Sequence, residues 1–136
     1  MRIFTILKKL CTKLGLIADY VVETGTGGIW TYRKWNSGVA ECWGSKTVTP
    51  TSTYTWGSLY EIRPVVQENF PSRLFKEIEY FNAAATSANM AFSGVEQYQA
   101  VTTTKTPQLV ALRPSSITLS STSRIKYTIY AKGRWK

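Results

Sequence analysis

Two aromatic-rich runs joined by a three-residue turn constrain this chain more than any other feature. Ile29-Trp30-Thr31-Tyr32-Arg33-Lys34-Trp35 is a strand sequence, and Val39-Ala40-Glu41-Cys42-Trp43-Gly44 is a second. Between them Asn36-Ser37-Gly38 is a turn signal, in which Gly38 can take positive φ. Trp30, Tyr32, Trp35 and Trp43 can pair across the resulting hairpin and stabilise it.

The cleanest alternation lies at the far end, over Arg124–Lys132. Ile125, Tyr127, Ile129 and Ala131 face one way; Lys126, Thr128, Tyr130 and Lys132 face the other. Between the two ends, Leu59–Arg63 reads as a strand closed by Pro64, and Gln108–Arg113 as a strand stopped by Pro114. Leu74–Asn82 reads as a longer strand with mixed faces: Leu74, Lys76, Ile78 and Tyr80 against Phe75, Glu77, Glu79 and Phe81. Ala88–Ser93 and Gln97–Thr103 are weaker strands. Loops are expected at Thr24–Gly28, Phe70–Ser72, Ala83–Thr86 and Ser115–Ser123, and Ser45–Thr55 reads as a loop or a frayed edge. Seven or eight short strands with turn signals every 8–15 residues specify an all-β, small antiparallel sandwich or barrel-like knob over residues 19–136.

Residues 1–18 follow a different rule. Ile3, Leu7, Leu10, Leu14 and Ile17 recur at spacings of 4, 3, 4 and 3, and Val21 adds another 4. This is an a/d stripe, with Lys8, Lys9, Thr12 and Lys13 off it. A signal peptide is one reading, but Lys8, Lys9 and Lys13 interrupt its apolar region. A basic helix lying on a membrane surface is a second. The favoured reading is a short coiled-coil helix that joins copies in parallel as a homotrimer, through Ile3, Leu7, Leu10, Leu14, Ile17 and Val21. The stripe spans fewer than three heptads, so it needs a following domain that also self-associates.

Composition removes several chemistries. The chain has no His and two Cys, at positions 11 and 42, so His-based acid–base catalysis, His-ligated metals and a Cys framework are excluded. No metal and no cofactor are expected. No apolar run approaches the roughly 18–20 residues of a membrane span. The net charge is +9, and all eight acids lie between Asp19 and Glu96. A basic balance favours polyanion partners, but the cations are spread singly, so no nucleic-acid partner is expected.

The stretch from Asp19 to Gly44, DYVVETGTGGIWTYRKWNSGVAECWG, resembles the opening of the C-terminal head domain in tail fibre and minor structural (receptor-binding) proteins of phages of Gram-positive bacteria. Phe70-Pro71 before a long strand and the final Gly133-Arg134-Trp135 are similar too, so the resemblance covers 19–136. It implies a trimeric β knob in a virion, assembled in the bacterial cytoplasm. The implied partners are further copies of itself, other virion proteins and host cell-surface polysaccharide. The short segment before the head leaves a capsid head fibre or decoration role as the alternative, and the charge leaves a basic membrane- or nucleic-acid-binding protein as a further one.

No catalytic residues are assigned, and an enzyme is not expected. Glu77 and Glu79 lie two apart on one strand, which is the pattern of a solvated face as well as of a carboxylate pair. Cys42, between Glu41 and Trp43, reads as a small buried hydrophobe, and both thiols are expected free. Sugar rings stack on Trp and Tyr faces, yet most such rings in small β domains fill cores, and Trp35 and Trp43 are expected there. The expected ligand-binding residues are Tyr54 and Trp56, placed in a Ser/Thr-rich loop, with Tyr60, then Asn89 and the Ser115–Ser123 loop.

Overall fold

The structure is a computed structural model that describes residues 2–13, 18–116, 118, 120 and 122–136. Arg2–Lys13 forms α1. The strands are β1 (Val21–Gly27), β2 (Trp30–Trp35), β3 (Val39–Val48), β4 (Ser52–Trp56), β5 (Leu59–Val66), β6 (Glu77–Thr86), β7 (Gly94–Tyr98), β8 (Gln108–Arg113) and β9 (Ile125–Arg134). They build a five-stranded sheet in the order β1-β2-β3-β9-β6 and a four-stranded sheet in the order β4-β5-β8-β7. Every pairing is antiparallel. The architecture is the sandwich form of the expected all-β fold, two open sheets with no barrel closure.

The alternation along β9 places the core. Ile125, Tyr127, Ile129 and Ala131 are buried and pack with Trp30, Ala40 and Cys42 of the same sheet. Ile62, Val66, Leu109 and Ala111 meet them from the four-stranded sheet. A hydrogen bond crosses this interface: the Ala111 N–H donates to the Tyr127 hydroxyl at 2.8 Å. Phe70, Leu74 and Phe75, from the β5–β6 connection, join the same core. The Phe70 ring lies 5.3 Å from Trp30 and 5.2 Å edge-on from Phe75, while Trp30 Nε1 donates to the Asn69 carbonyl at 2.6 Å. Asp19 ties the start of the domain to the β2–β3 turn, accepting from the Ser37 N–H at 2.9 Å and from the Ser37 hydroxyl.

Several segments depart from the sequence reading, each for a local reason. Thr24–Gly27 is strand and not loop. Gly25 pairs with Tyr32, whose ring fills the space that a Cβ on Gly25 would need. The turn before β2 is reduced to Gly28 and Ile29, with Gly28 at φ 58°. Ser45–Thr55 holds the end of β3, drawn out to match β9, and the start of β4. β5 runs on through Pro64, at an interruption of the β5–β8 ladder where no N–H is needed.

The long strand starts later than expected, at Glu77, and takes in Ala83–Thr86. Leu74 and Phe75 are both buried loop residues. A bulge between Ile78 and Tyr80 shifts the register by one, so Ile78, Phe81, Ala83 and Ala85 all pack inward. That extra residue accounts for the mixed faces in the sequence. β7 at Gly94–Tyr98 lies after the expected Ala88–Ser93 strand and overlaps the expected Gln97–Thr103 strand only at Gln97 and Tyr98. In the amino-terminal segment, Leu14 and Ile17 lie outside the described residues. Val21 does not continue the helical stripe: it opens β1 opposite Trp35.

Candidate functional site

The site is the outer face of the five-stranded sheet, and register assembles it. Residues two apart on a strand share a face, and cross-strand partners stand side by side. Thr26, Thr31, Trp43, Tyr130 and Asn82 therefore form one row across all five strands. Thr24, Arg33, Glu41, Lys132 and Tyr80 form the next. On the other side of the Trp43 row, β3, β9 and β6 carry the small residues Ser45, Thr128 and Ala84. The step from large to small side chains leaves an open groove of about 540 Å³, whose lining includes Thr31, Trp43, Ser45, Asn82, Thr128 and Tyr130, with Ile29 adding an apolar wall and Gly44 and Ile129 completing it.

Polar contacts hold the rings in place. Arg33 forms an ion pair with Glu41 at 3.1 Å, and the Tyr130 hydroxyl donates to the other Glu41 oxygen at 2.7 Å. The Arg33 guanidinium lies 4.7 Å from the Trp43 ring and 5.8 Å from Trp35, within cation–π range. Tyr80 leans on Tyr130 at 6.0 Å. The Glu41 side chain is 15% exposed against 42% for Arg33, so the carboxylate is the shielded partner. Burial first, and then the hydrogen bond to Glu41, push the Tyr130 phenol up to about 12. The hydroxyl stays a donor at neutral pH.

The Trp43 row crosses four strand spacings, roughly 19 Å from Thr26 to Asn82. Its chemistry is two aromatic rings, one amide and several hydroxyls, with the nearest carboxylate already engaged. Such a surface can hold a flat, hydroxyl-rich ligand by stacking and hydrogen bonding. Among the described residues, no group of three or more His, Cys, Asp or Glu comes together. No described helix is long and apolar enough to cross a membrane.

The residues picked from the sequence are placed differently. Tyr54 and Trp56 are exposed, at 56% and 45%, but they lie on edge strand β4 and not in a loop. They share the outer face of the four-stranded sheet, where the Arg63 guanidinium lies 5.1 Å from the Tyr54 ring. Tyr60 sits opposite Thr55 on the inner face and packs, partly buried, against the core, away from Tyr54 and Trp56. Asn89 is exposed in the β6–β7 connection, accepting from the Ser87 hydroxyl at 3.1 Å. β7 and β4 are opposite edges of their sheet, so Asn89 does not join Tyr54 and Trp56. The Ser115–Ser123 loop falls partly outside the described residues.

Trp35 and Trp43 are also corrected. Both are half-buried on the outer face, and the core tryptophan of the hairpin is Trp30. Glu77 and Glu79 are exposed on edge strand β6, beside its bulge. Cys42 is fully buried, and burial pushes its thiol up to about 12. Sequence reasoning misses the groove because it joins residues from four strands far apart in the chain. The one available signal is the outward set of β9, which contains Thr128 and Tyr130.

No family model matches the sequence, and no curated protein is significantly similar to it. Solved structures do match. An N-truncated R2-type pyocin tail fibre aligns with 88% of this chain and 40% of its own at 13% identity, with a TM-score of 0.46. An N-truncated R1-type pyocin tail fibre aligns over 92% of this chain and 93% of its own at 11% identity, with a TM-score of 0.53. Beside the two-sheet architecture, that second likeness shows that this chain shares the fold of that tail fibre structure.

Proposed function

We propose that this chain is a virion structural protein, a tail fibre-like head that adheres to saccharide on the host envelope and performs no chemistry on it. The observation that carries the reading is the Thr31–Trp43–Tyr130–Asn82 row beside the small Ser45–Thr128–Ala84 row. Trp43 and Tyr130 offer ring faces to sugar C–H groups, and Asn82, Thr31, Thr128 and Ser45 offer donors and acceptors to its hydroxyls. The ion pair and the Tyr130 hydrogen bond hold the platform before ligand arrives, which lowers the ordering cost of binding. The tail fibre-like fold supports the virion setting, and the Asp19–Gly44 resemblance supports a Gram-positive host. Individually weak sites gain avidity from copies, so the reading includes a homotrimer.

Binding of labelled protein to purified bacterial cell walls, with wall polysaccharide as competitor, tests the reading. Trp43→Ala is expected to weaken binding at least tenfold, with the thermal transition still cooperative. Full binding by that variant, binding that soluble polysaccharide does not compete, or release of sugar fragments overturns it. Light scattering tests the copy number, and a monomer at micromolar concentration refutes the trimer.

A further inference from the structure

We infer that α1 docks onto an anionic lipid surface. The helix leaves Ile3 and Phe4 largely exposed, at 71% and 70%, with Ile6 at 63% and Leu7 and Leu10 at 50% each. At 3.6 residues per turn these five side chains cover roughly 160° of the helix circumference. A two- or three-stranded seam uses the narrower a/d stripe of Ile3, Leu7 and Leu10, and leaves Phe4 and Ile6 flanking it in water.

Charge separates the two occupants. Residues 1–18 carry Arg2, Lys8, Lys9 and Lys13 and no acid. Parallel copies bring like charges together along this segment, whereas an anionic headgroup layer complements them. The placement agrees. Lys8 Nζ lies 3.7 Å from the centroid of the Tyr20 ring, which turns the Lys8 side of the helix toward the β domain. Ile3, Ile6 and Leu10 lie roughly opposite Lys8 on the helical wheel and so face away from that contact, while Phe4, about 40° from Lys8, closes the near edge of the arc. A broad apolar arc with basic flanks is the pattern of a helix lying in the interfacial plane. This inference is independent of the saccharide groove.

The test is co-sedimentation of the full chain with vesicles of phosphatidylcholine alone and of phosphatidylcholine mixed with phosphatidylglycerol. Binding is expected only to the mixed vesicles, falling as salt rises. Phe4→Ser with Ile6→Ser, which spares the seam, is expected to lower binding at least tenfold while the melting transition of the β domain is unchanged. Lys9→Gln is expected to lower it roughly fivefold. No binding, equal binding to both vesicle types, or full binding by the Phe4→Ser, Ile6→Ser variant overturns the inference. So does an oligomer that this variant dissociates, with no vesicle binding by the parent chain.

Discussion

Replacing Tyr127 by phenylalanine removes one oxygen atom from the middle of the sandwich. The Ala111 N–H gives its hydrogen bond to that oxygen at 2.8 Å, and both residues are fully buried. The variant leaves this donor unpaired and out of reach of water, which costs about 1–3 kcal/mol. For a chain of this length, about 2 kcal/mol lowers Tm by roughly 6–10 °C. A second signature follows from ionisation. Burial raises the Tyr127 phenol to about 12 from its ordinary 10.0. The native state therefore keeps this proton where the unfolded state releases it, so the stabilisation is complete below pH 10 and declines as pH rises toward 12. One pH unit above the unfolded value the loss is about 1.4 kcal/mol. The phenylalanine ring of the variant has no proton to release. The parent's advantage over Tyr127→Phe is thus expected to narrow by about 1.4 kcal/mol between pH 8 and pH 11. Urea denaturation followed by tryptophan fluorescence, at one protein concentration, measures both quantities. Equal stability at pH 8, or an advantage that does not change with pH, refutes the reasoning.

Gly133→Ala is expected to destabilise by about 1–3 kcal/mol, because the new Cβ would collide with the Glu77 backbone carbonyl at the bulge; chemical denaturation checks it. Cys42 is expected to resist a thiol reagent at pH 8 in the native protein and to react on unfolding in urea, since it is fully buried with its thiol at about 12. Ser37→Ala removes the largest of the contacts that hold the Asp19 carboxyl below its usual 3.8. A depressed acid stabilises above 3.8 and loses that contribution as pH falls through the native value. The Tm gap between parent and Ser37→Ala is expected to close on acidification.

The sandwich is legible in the sequence because β9 alternates without a break and the β2–β3 turn is unmistakable. Both patterns are local. What stays hidden is either compensated or long-range. Gly25 looks like a loop residue until Tyr32 is seen lying over it. Glu79 scrambles the faces of β6 because a bulge leaves no mark in a single sequence. Tyr54 and Trp56 read correctly as exposed, since a Thr-rich edge has little to bury them. Trp43 reads wrongly as core, because nothing in its own strand says that Tyr130 will stand beside it. That pairing joins residues 43 and 130 through a register that only the fold supplies.

β9 sits between β3 and β6, yet within this chain it is the last strand to be made. Until it inserts, the β1-β2-β3 meander and β6 share no ladder, and each offers a bare edge to any neighbour. The five-stranded sheet therefore closes like a zip whose slider arrives last, with pairings such as Glu41–Lys132 spanning most of the sequence. Folding of this kind is slow, and its half-made state is sticky. A chain truncated before Ile125 would not leave a smaller domain. It would leave two loose sheet edges prone to pair with the wrong partner, so the interval before β9 slots home is when this protein most needs shelter from its neighbours.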